Sequence, residues 1–242
     1  LKNEKIDIVR WSPDPVEYIV NAISPARVVS VDIMTDDEET KDAALVDCSA
    51  FDIWDKVPYG KGKAAVTSVG ENRQEIEGIN LKYILLTHGH FDHIAGIKPV
   101  NSPVPDIESR PQVLMHKADT DWVNRVNEYM PMMGMSEITV PKIDRFIEDG
   151  EIIKLGSLEI KVIHTPGHTQ GGVCYYVGNN LFSGDTVFRE SVGRCDLPGG
   201  DFDKIVESIK TKIFTLPDET LIYPGHGKTT SVGWEKEHNF FM

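Results

Sequence analysis

The sequence is poor in cysteine and in long apolar runs, and each shortage excludes a class of protein. Its three cysteines, Cys48, Cys174 and Cys195, lie far apart and form no C-x-x-C pair, which argues against a disulfide framework and favours a reducing compartment. The apolar runs are of strand length, well short of the ~20 residues that cross a bilayer. We therefore expect a cytoplasmic protein with no membrane-spanning segment, and a presequence removed before Leu1 is the alternative.

Basic charge is also scarce. The chain has 25 Lys and Arg against 38 Asp and Glu, a formal net charge of −13. Such a surface repels a phosphate backbone unless a local basic patch intervenes, so we expect no nucleic-acid partner. Hydrophobic residues make up 40% and charged residues 26% of the chain, which is typical of globular domains and excludes a fibrous or disordered protein.

The length is sufficient for one large domain. We predict a single domain over residues 1–242, in which residues 1–42 form an N-terminal extension whose packing the pattern does not specify. From about residue 43 onward, strand-like and helix-like segments alternate. This alternation predicts a layered α/β fold.

Short apolar runs bounded by polar or Gly-containing sequence predict buried strands. They lie at residues 43–46, 83–86, 113–115, 173–177 and 221–223. Two more runs, 151–155 and 158–163, flank Gly156 and Ser157, which predicts a tight hairpin. Isoleucines four residues apart within 202–214 predict one buried helix face. They are Ile205, Ile209 and Ile213.

The most informative segment joins an apolar strand to four metal-binding side chains within a few residues. It reads H-x-H-x-D-H and contains His88, His90, Asp92 and His93. At strand spacing, His88 and His90 project to the same side. Asp92 and His93, on the turn that follows, can face the same space. One short loop can thus supply ligands to two adjacent metal ions.

Three further candidate ligands each follow an apolar stretch at a Gly-containing turn. They are His168, Asp185 and His226. Side chains that carry function often lie on loops held by a rigid scaffold. The histidines that remain are predicted to be non-ligands; they are His116, His164 and His238. Because Pro166 and Gly167 prevent a regular helix between His164 and His168, those two histidines need not bind the same metal.

In this order and spacing, the motifs between residues 43 and 226 resemble the metallo-β-lactamase superfamily. The resemblance implies an α/β fold, a four-layer αββα sandwich with the metals at one edge. It implies a first metal site formed by His88, His90 and His168. It implies a second site formed by Asp92, His93 and His226, with Asp185 as the bridging carboxylate.

The implied ligands are nitrogen and oxygen atoms with no thiolate, which suits Zn²⁺, Fe²⁺ or Mn²⁺. We expect two divalent ions, with Zn²⁺ as the first choice and Fe²⁺ or Mn²⁺ as the alternatives. Two such ions can share a hydroxide by lowering the pKa of bound water, so metal-assisted hydrolysis is predicted. Asp92 is the predicted catalytic residue, because as a ligand of the second site it also hydrogen-bonds the hydroxide.

Within the superfamily, segments 85–96, 164–172, 184–188 and 193–201 resemble the glyoxalase II-like hydrolases. That group implies hydrolysis of a hydroxyacyl thioester, a small-molecule substrate typically linked to glutathione. The β-lactamases usually have Cys or Ser at the position of Asp185, so antibiotic hydrolysis is not expected.

Two features leave substrate recognition open. Residues 227–242 follow the last motif, so we expect no counterpart of the helical C-terminal domain that helps to hold glutathione in the longer enzymes. Arg194 falls near the family's substrate-binding loop and is predicted to meet a substrate carboxylate through its guanidinium group. A salt bridge from Arg194 to Asp196 is the alternative.

Two other functions compete with hydrolysis. Persulfide dioxygenases share the histidine cluster but use a single iron and oxygen. In that group Ala and Asp often flank the last histidine, whereas Gly225 and Gly227 flank His226 here, which favours the hydrolase. A non-enzymatic metal-binding protein is the third hypothesis, and a ligand set with no open coordination position would identify it.

Overall fold

The structure, a computed structural model, describes residues 7–11, 31–35, 42–47, 80–95, 97, 111–133 and 136–242. Within these ranges the strands form two six-stranded sheets and a two-stranded ribbon. The first sheet contains, in chain order and in spatial order, β1 (Asp7–Trp11), β2 (Val31–Thr35), β3 (Asp42–Val46), β4 (Asn80–Leu85), β5 (Gln112–His116) and β6 (Arg145–Ile147). Strands β1 to β3 are antiparallel, and β3 to β6 are parallel.

The second sheet has the spatial order β14-β13-β10-β9-β8-β7. Its strands are β7 (Ile152–Leu155), β8 (Leu158–His164), β9 (Val173–Val177), β10 (Asn180–Gly184), β13 (Leu221–Pro224) and β14 (Thr230–Ser231). The ribbon pairs β11 (Val187–Phe188) with β12 (Ser191–Val192). Neighbours in the second sheet are antiparallel except β10 and β13, which are parallel.

The helices are short. They are α1 (Phe91–Ile94), α2 (Thr120–Asn124), α3 (Val126–Tyr129), α4 (Phe202–Ser208) and α5 (Val232–His238). A π-helical turn, Ile209–Ile213, continues α4. Two 3₁₀ turns are Lys117–Asp119 and Pro131–Met133. Among the described residues, no helix has the length and apolar character needed to cross a membrane.

Three apolar clusters show how the layers stack. The central cluster lies between the sheets, where Leu85 and Leu114 of the first sheet pack with Tyr175 and Phe182 of the second. A second cluster lies between the first sheet and helices α1 to α3. The third lies between the second sheet and α4, its π-helical turn and α5. The layer order is therefore helix, sheet, sheet, helix, and the predicted αββα sandwich is confirmed.

The alternation of side chains along β3 explains why the first sheet is buried on both faces. Leu45 points to the helices. Its neighbours Ala44 and Val46 point to the second sheet, because successive residues of a strand face opposite sides. A sheet covered on both sides needs apolar residues at consecutive positions, which accounts for the unbroken apolar runs in the sequence.

The predicted strands, hairpin and helix are present, and the structure adds strands β1 and β2, which the sequence did not predict. The hairpin between β7 and β8 turns at Gly156, where φ is +55°. The segment predicted as one helix over 202–214 begins as α4 and widens into the π-helical turn, and its three isoleucines are fully buried. Strands β1 and β2 fall within residues 1–42, and β2 pairs with β3.

The carboxyl ends of β8, β10 and β13 lie at one edge of the second sheet, because these strands share one direction. The segment after β4 meets that edge. The backbone N–H of Val173 donates to the carbonyl of Thr87 at 2.8 Å, and the Tyr175 hydroxyl donates to the carbonyl of Leu86 at 2.7 Å. Burial raises the pKa of Tyr175 well above its usual value, so this hydroxyl remains a donor. These two bonds join the sheets beside the predicted site.

We expect Tyr175→Phe to lower the free energy of unfolding by about 1–3 kcal/mol, because it leaves the buried carbonyl of Leu86 without its hydroxyl donor. Urea denaturation followed by circular dichroism measures the change. Tyr176→Phe is the matched control, since the Tyr176 ring lies on the other face of the same strand and is partly exposed. Equal stabilities of the two variants would contradict the proposed role of the Tyr175 hydroxyl.

Candidate metal centre

The H-x-H-x-D-H loop begins as extended backbone and ends as a helix. His88 and His90 follow β4, and His90 has φ −69° and ψ 151°. Helix α1 begins at the next residue, and its first turn carries Asp92 and His93. The N–H of His93 donates to the carbonyl of His90 at 3.0 Å. The change from extended to helical backbone lets one short loop present ligands from two directions.

Three histidines form the first group of converging atoms, here called the three-histidine group. His88 Nε2 lies 3.0 Å from His90 Nδ1. His168 Nε2 lies 3.2 Å from His88 Nε2 and 2.9 Å from His90 Nδ1. All three side chains are buried, so the ring nitrogens converge on a small space within the protein.

The hydrogen bonds behind these rings fix their tautomers. Thr87 Oγ1 donates to the carboxylate of Asp47 at 2.9 Å. Its lone pair therefore accepts from His88 Nδ1, which is 3.1 Å away. His168 Nδ1 donates to the carbonyl of Arg194 at 2.7 Å. Because a neutral imidazole carries one proton, the Nε2 atoms of His88 and His168 face each other as lone pairs. A cation held between them would remove this repulsion.

The second group contains Asp92, His93 and His226, whose ligand atoms lie within 4.8 Å of one another. His226 Nε2 is 3.5 Å from Asp92 Oδ2. His93 Nδ1 lies 2.8 Å from Asp47 Oδ2, so it donates there and turns its Nε2 atom toward the site. This assembly is called the Asp92 group below.

Asp185 lies between the two groups. Its Oδ2 is 3.6 Å from His168 Nε2 and 3.5 Å from His226 Nε2. Its Oδ1 is 3.4 Å from His93 Nε2. The backbone at Gly225 approaches so closely that a Cβ there would lie 2.5 Å from Asp185 Oδ1. One carboxylate therefore reaches ligand atoms of both groups, which is the geometry that a bridging ligand requires.

The electrostatics of the two groups differ. Burial lowers the pKa of His88 well below its usual value, and burial together with His168 lowers the pKa of His90 to about 3. Both rings are therefore neutral at pH 7, and each can offer a nitrogen lone pair to a metal ion. Burial alone would also lower the pKa of His93, but the carboxylates of Asp47 and Asp185 outweigh it and raise that pKa well above the usual value.

The two carboxylates of the site remain ionised. Burial would raise the pKa of Asp185, but the charge of His93 and its hydrogen bond to Asp185 hold that pKa below its usual range. The hydrogen bond from His226 lowers the pKa of Asp92 against the opposing effect of burial. Neutral imidazoles and ionised carboxylates are suitable ligands for divalent cations, and His93, whose pKa is raised, would have to lose its Nε2 proton to bind one.

The structure brings together all seven residues that the sequence predicts as ligands. The other three histidines lie outside the converging groups found among the described residues. His116 stacks on His164 with ring centroids 4.1 Å apart, and His238 stacks on Trp234 at 3.9 Å. His164 Nε2 also lies 2.9 Å from the carbonyl of Gln170, so this histidine supports the loop that carries His168.

Arg194 contacts the site through its backbone. Its carbonyl accepts the hydrogen bond of His168, as described above. Its guanidinium group makes two hydrogen bonds to the carboxylate of Asp196, at 2.7 Å and 2.6 Å. The salt bridge that was the alternative interpretation is thus present, and contact between Arg194 and a substrate stays a prediction.

Sequence reasoning did not find Asp47 or Thr87, which orient His88 and His93. Asp47 follows β3 and has a positive φ of 57°, and its side chain is almost fully buried. The sequence does contain one signal for Asp47. It is an acidic residue directly after a buried strand, as Asp185 is directly after β10. The partners of Asp47 are 40 and 46 residues away in the chain, so no local pattern reveals them.

Comparisons with known proteins agree with this geometry. A family model described as the metallo-beta-lactamase superfamily matches residues 38–226, and the chain belongs to this superfamily. The Haemophilus influenzae protein named hydroxyacylglutathione hydrolase GloC is 32% identical over a match that covers 78% of this chain and 90% of that protein. The resemblance predicted from the motifs, to the superfamily and to its glyoxalase II-like members, is confirmed.

Two solved structures add to this comparison. The BLEG-1 B3 metallo-beta-lactamase superposes with a TM-score of 0.73 at 28% identity, covering 97% of this chain and 99% of that one. The protein TTHA1623 in a di-iron-bound form gives a TM-score of 0.59 at 35% identity, covering 68% and 79%. The superfamily is one of metallo-hydrolases that bind divalent metal ions, and the cluster of His and Asp side chains fits such a site.

We expect Thr87→Val to weaken Zn²⁺ binding by about 10–100-fold, because His88 loses the acceptor that fixes its tautomer. Thr87→Ser keeps the hydroxyl and is expected to bind like the wild type. Competition with a chromophoric chelator measures the affinity of each variant. If the Val and Ser variants bind Zn²⁺ equally well, the relay from Asp47 through Thr87 does not support the metal site.

Proposed function

We propose that this protein is a binuclear metallohydrolase that cleaves hydroxyacyl thioesters. The observation that carries the proposal is the position of Asp185 within 3.4–3.6 Å of ligand atoms from both the three-histidine group and the Asp92 group. A site for one ion would not need a carboxylate shared in this way. The di-iron form of the relative TTHA1623 is a further support for two ions.

Each group of ligands has its own part. His88, His90 and His168 would hold one ion, and Asp92, His93 and His226 would hold the other. We propose Zn²⁺ for both, with Fe²⁺ or Mn²⁺ as the alternatives. When bound, the pair would supply a hydroxide at neutral pH and polarise the thioester carbonyl.

The protein's own residues orient this chemistry. Asp92 stays ionised in a nearly closed environment, so its carboxylate accepts a hydrogen bond from the attacking water and directs it at the carbonyl. The Trp122 ring stands edge-on to His90 with centroids 4.5 Å apart. It shields the three-histidine group from bulk water on that side, and Phe188 lies beside His226 at 6.1 Å.

The substrate class is proposed from a relative. GloC carries the name of a hydrolase of hydroxyacylglutathione, and this chain matches most of its length. A thioester linked to glutathione is therefore the first substrate to test. BLEG-1 carries the name of a β-lactamase, so a chromogenic β-lactam belongs in the same assay.

We expect metal analysis to find two ions per chain. We also expect Asp92→Asn to lower kcat by about 100-fold or more at full metal occupancy. The loss follows because a neutral amide is a weaker ligand and a weaker acceptor for the attacking water. Asp121→Asn is the control, since Asp121 is exposed on α2 and its carboxylate pairs with Arg125, away from the metal ligands. A single ion per chain after reconstitution with excess metal would contradict the binuclear proposal. Near-normal kcat in Asp92→Asn would remove Asp92 from the mechanism.

The reaction class is tested by exchanging the metal and removing oxygen. We expect the protein reconstituted with Zn²⁺ to hydrolyse a hydroxyacyl-glutathione thioester under strictly anaerobic conditions, because hydrolysis needs neither oxygen nor a redox change. A dioxygenase requires a redox-active ion such as iron, which Zn²⁺ cannot replace. Oxygen uptake with glutathione persulfide only in the iron form, without thioester hydrolysis under any condition, would establish the dioxygenase instead.

A further inference from the structure

A further buried carboxylate, Asp119, lies behind the three-histidine group. It ends the 3₁₀ turn that follows β5 and is fully buried. Its Oδ2 accepts from the N–H of Gly89 at 3.0 Å and from Thr169 Oγ1 at 2.7 Å. Its Oδ1 accepts from the N–H of Gly171 at 2.6 Å. Neither the sequence motifs nor the proposed mechanism uses this residue.

The three donors belong to the two loops that carry the three-histidine group. Gly89 lies between His88 and His90, on the loop that leaves the first sheet. Thr169 and Gly171 follow His168, on the loop between β8 and β9 of the second sheet. One carboxylate is therefore bonded to both loops, and it fixes the separation between ligands that come from different sheets.

The backbones of both loops approach Asp119 so closely that a side chain larger than that of glycine would be crowded at the point of contact. A Cβ at Gly171 would lie 2.7 Å from the Asp119 carboxylate. A Cβ at Gly89 would lie 3.0 Å from the Asp119 carbonyl and 3.0 Å from Trp122 Cβ. The contact thus also seats the start of α2, whose Trp122 ring stands against His90.

The cost of burying the Asp119 carboxylate indicates that its role is to hold the two loops in place. A buried carboxylate is unfavourable unless it is hydrogen-bonded, and burial raises the pKa of Asp119 against three hydrogen bonds that lower it. Those three donors are uncharged, so they offset the desolvation of the carboxylate by hydrogen bonding and not by an opposite charge. Charge-assisted hydrogen bonds are, however, short and directional, which makes this residue suited to hold two loops at a fixed distance.

We propose that Asp119 is a positioning residue that sets the metal affinity of the three-histidine group and leaves the Asp92 group largely unaffected. Asp47, which is also buried, contacts His93 directly and reaches His88 through Thr87. Asp119 instead acts on the loops of His90 and His168. The inference depends on the metal-binding part of the proposed function and not on thioester hydrolysis.

The two groups can be measured separately in two backgrounds. His226→Ala disables the Asp92 group, and His90→Ala disables the three-histidine group. We expect Asp119→Asn to weaken Co²⁺ binding by about tenfold or more in the His226→Ala background, because one end of the amide is a donor that faces N–H or O–H donors. In the His90→Ala background we expect a change of less than about twofold. Chelator competition gives the affinities, and the Co²⁺ absorption spectrum shows whether the ligand geometry has changed.

Matched variants separate positioning from general stability. Thr169→Val removes one of the three hydrogen bonds, and Thr169→Ser keeps it; we expect the first to weaken Co²⁺ binding and the second to preserve it. These milder changes also serve as the test if Asp119→Asn does not fold. Asp144→Asn is the remote control, since the Asp144 carboxylate, just before β6, accepts a hydrogen bond at 3.0 Å from the backbone N–H of Val113 in β5.

Unchanged Co²⁺ affinity in Asp119→Asn, or an equal loss in both backgrounds, would overturn the inference. So would equal binding by the Val and Ser variants of Thr169. Because the readout is metal affinity, a protein that follows the expected pattern but hydrolyses no thioester supports this inference and contradicts the proposed function.

Discussion

The metal centre depends on the contact between the two sheets at the end of β4. There the carbonyls of Leu86 and Thr87 accept hydrogen bonds from Tyr175 and Val173 of the second sheet. His88 follows immediately in the chain, so these bonds set where the H-x-H-x-D-H loop starts relative to the loops after β8, β10 and β13. A shift of one sheet over the other would separate the ligand atoms, whichever residues carried them.

Around this contact the protein arranges buried polar groups in layers. The ligand atoms converge in the centre, and oxygen atoms behind them orient the imidazoles of His88, His93 and His168. Asp47 and Thr87 perform this on one side, and the Arg194 carbonyl performs it on the other. Buried charge is tolerated at Asp47 and Asp119 because each of these two carboxylates accepts several hydrogen bonds. The acidic character of the whole chain is therefore compatible with a site that offers neutral nitrogen atoms to a cation.

The sequence predicts well those features that local spacing encodes. The strands that carry the motifs and the seven clustered ligands follow from apolar runs that end in His or Asp at Gly-containing turns. Asp47, Thr87 and Asp119 escape prediction because their partners are 30 to 52 residues distant or because a common residue type conceals them. Strands β1 and β2 are short and pair by strand-to-strand contacts that apolar periodicity alone does not identify.

The side chain of Arg194 illustrates the same limit from the opposite direction. Its place in the chain suggested a substrate contact, whereas the orientation of its guanidinium group depends on Asp196 two residues away. Its carbonyl, which any residue would provide, is the atom that meets His168. Backbone groups carry no sequence signature, so their part in a site emerges only from the fold.

The origin of the ligands in both sheets has a consequence for folding. In an unfolded chain His88 and His168 are separated by 80 residues, and the first-sheet and second-sheet ligands cannot meet until the sandwich has closed. A cation held between them would act as a reversible cross-link that exists only in the native state. By mass action it would add roughly 4 kcal/mol to native stability at a free concentration about 1,000 times its dissociation constant. The supply of metal would then govern how long the folded protein persists as well as what it can catalyse.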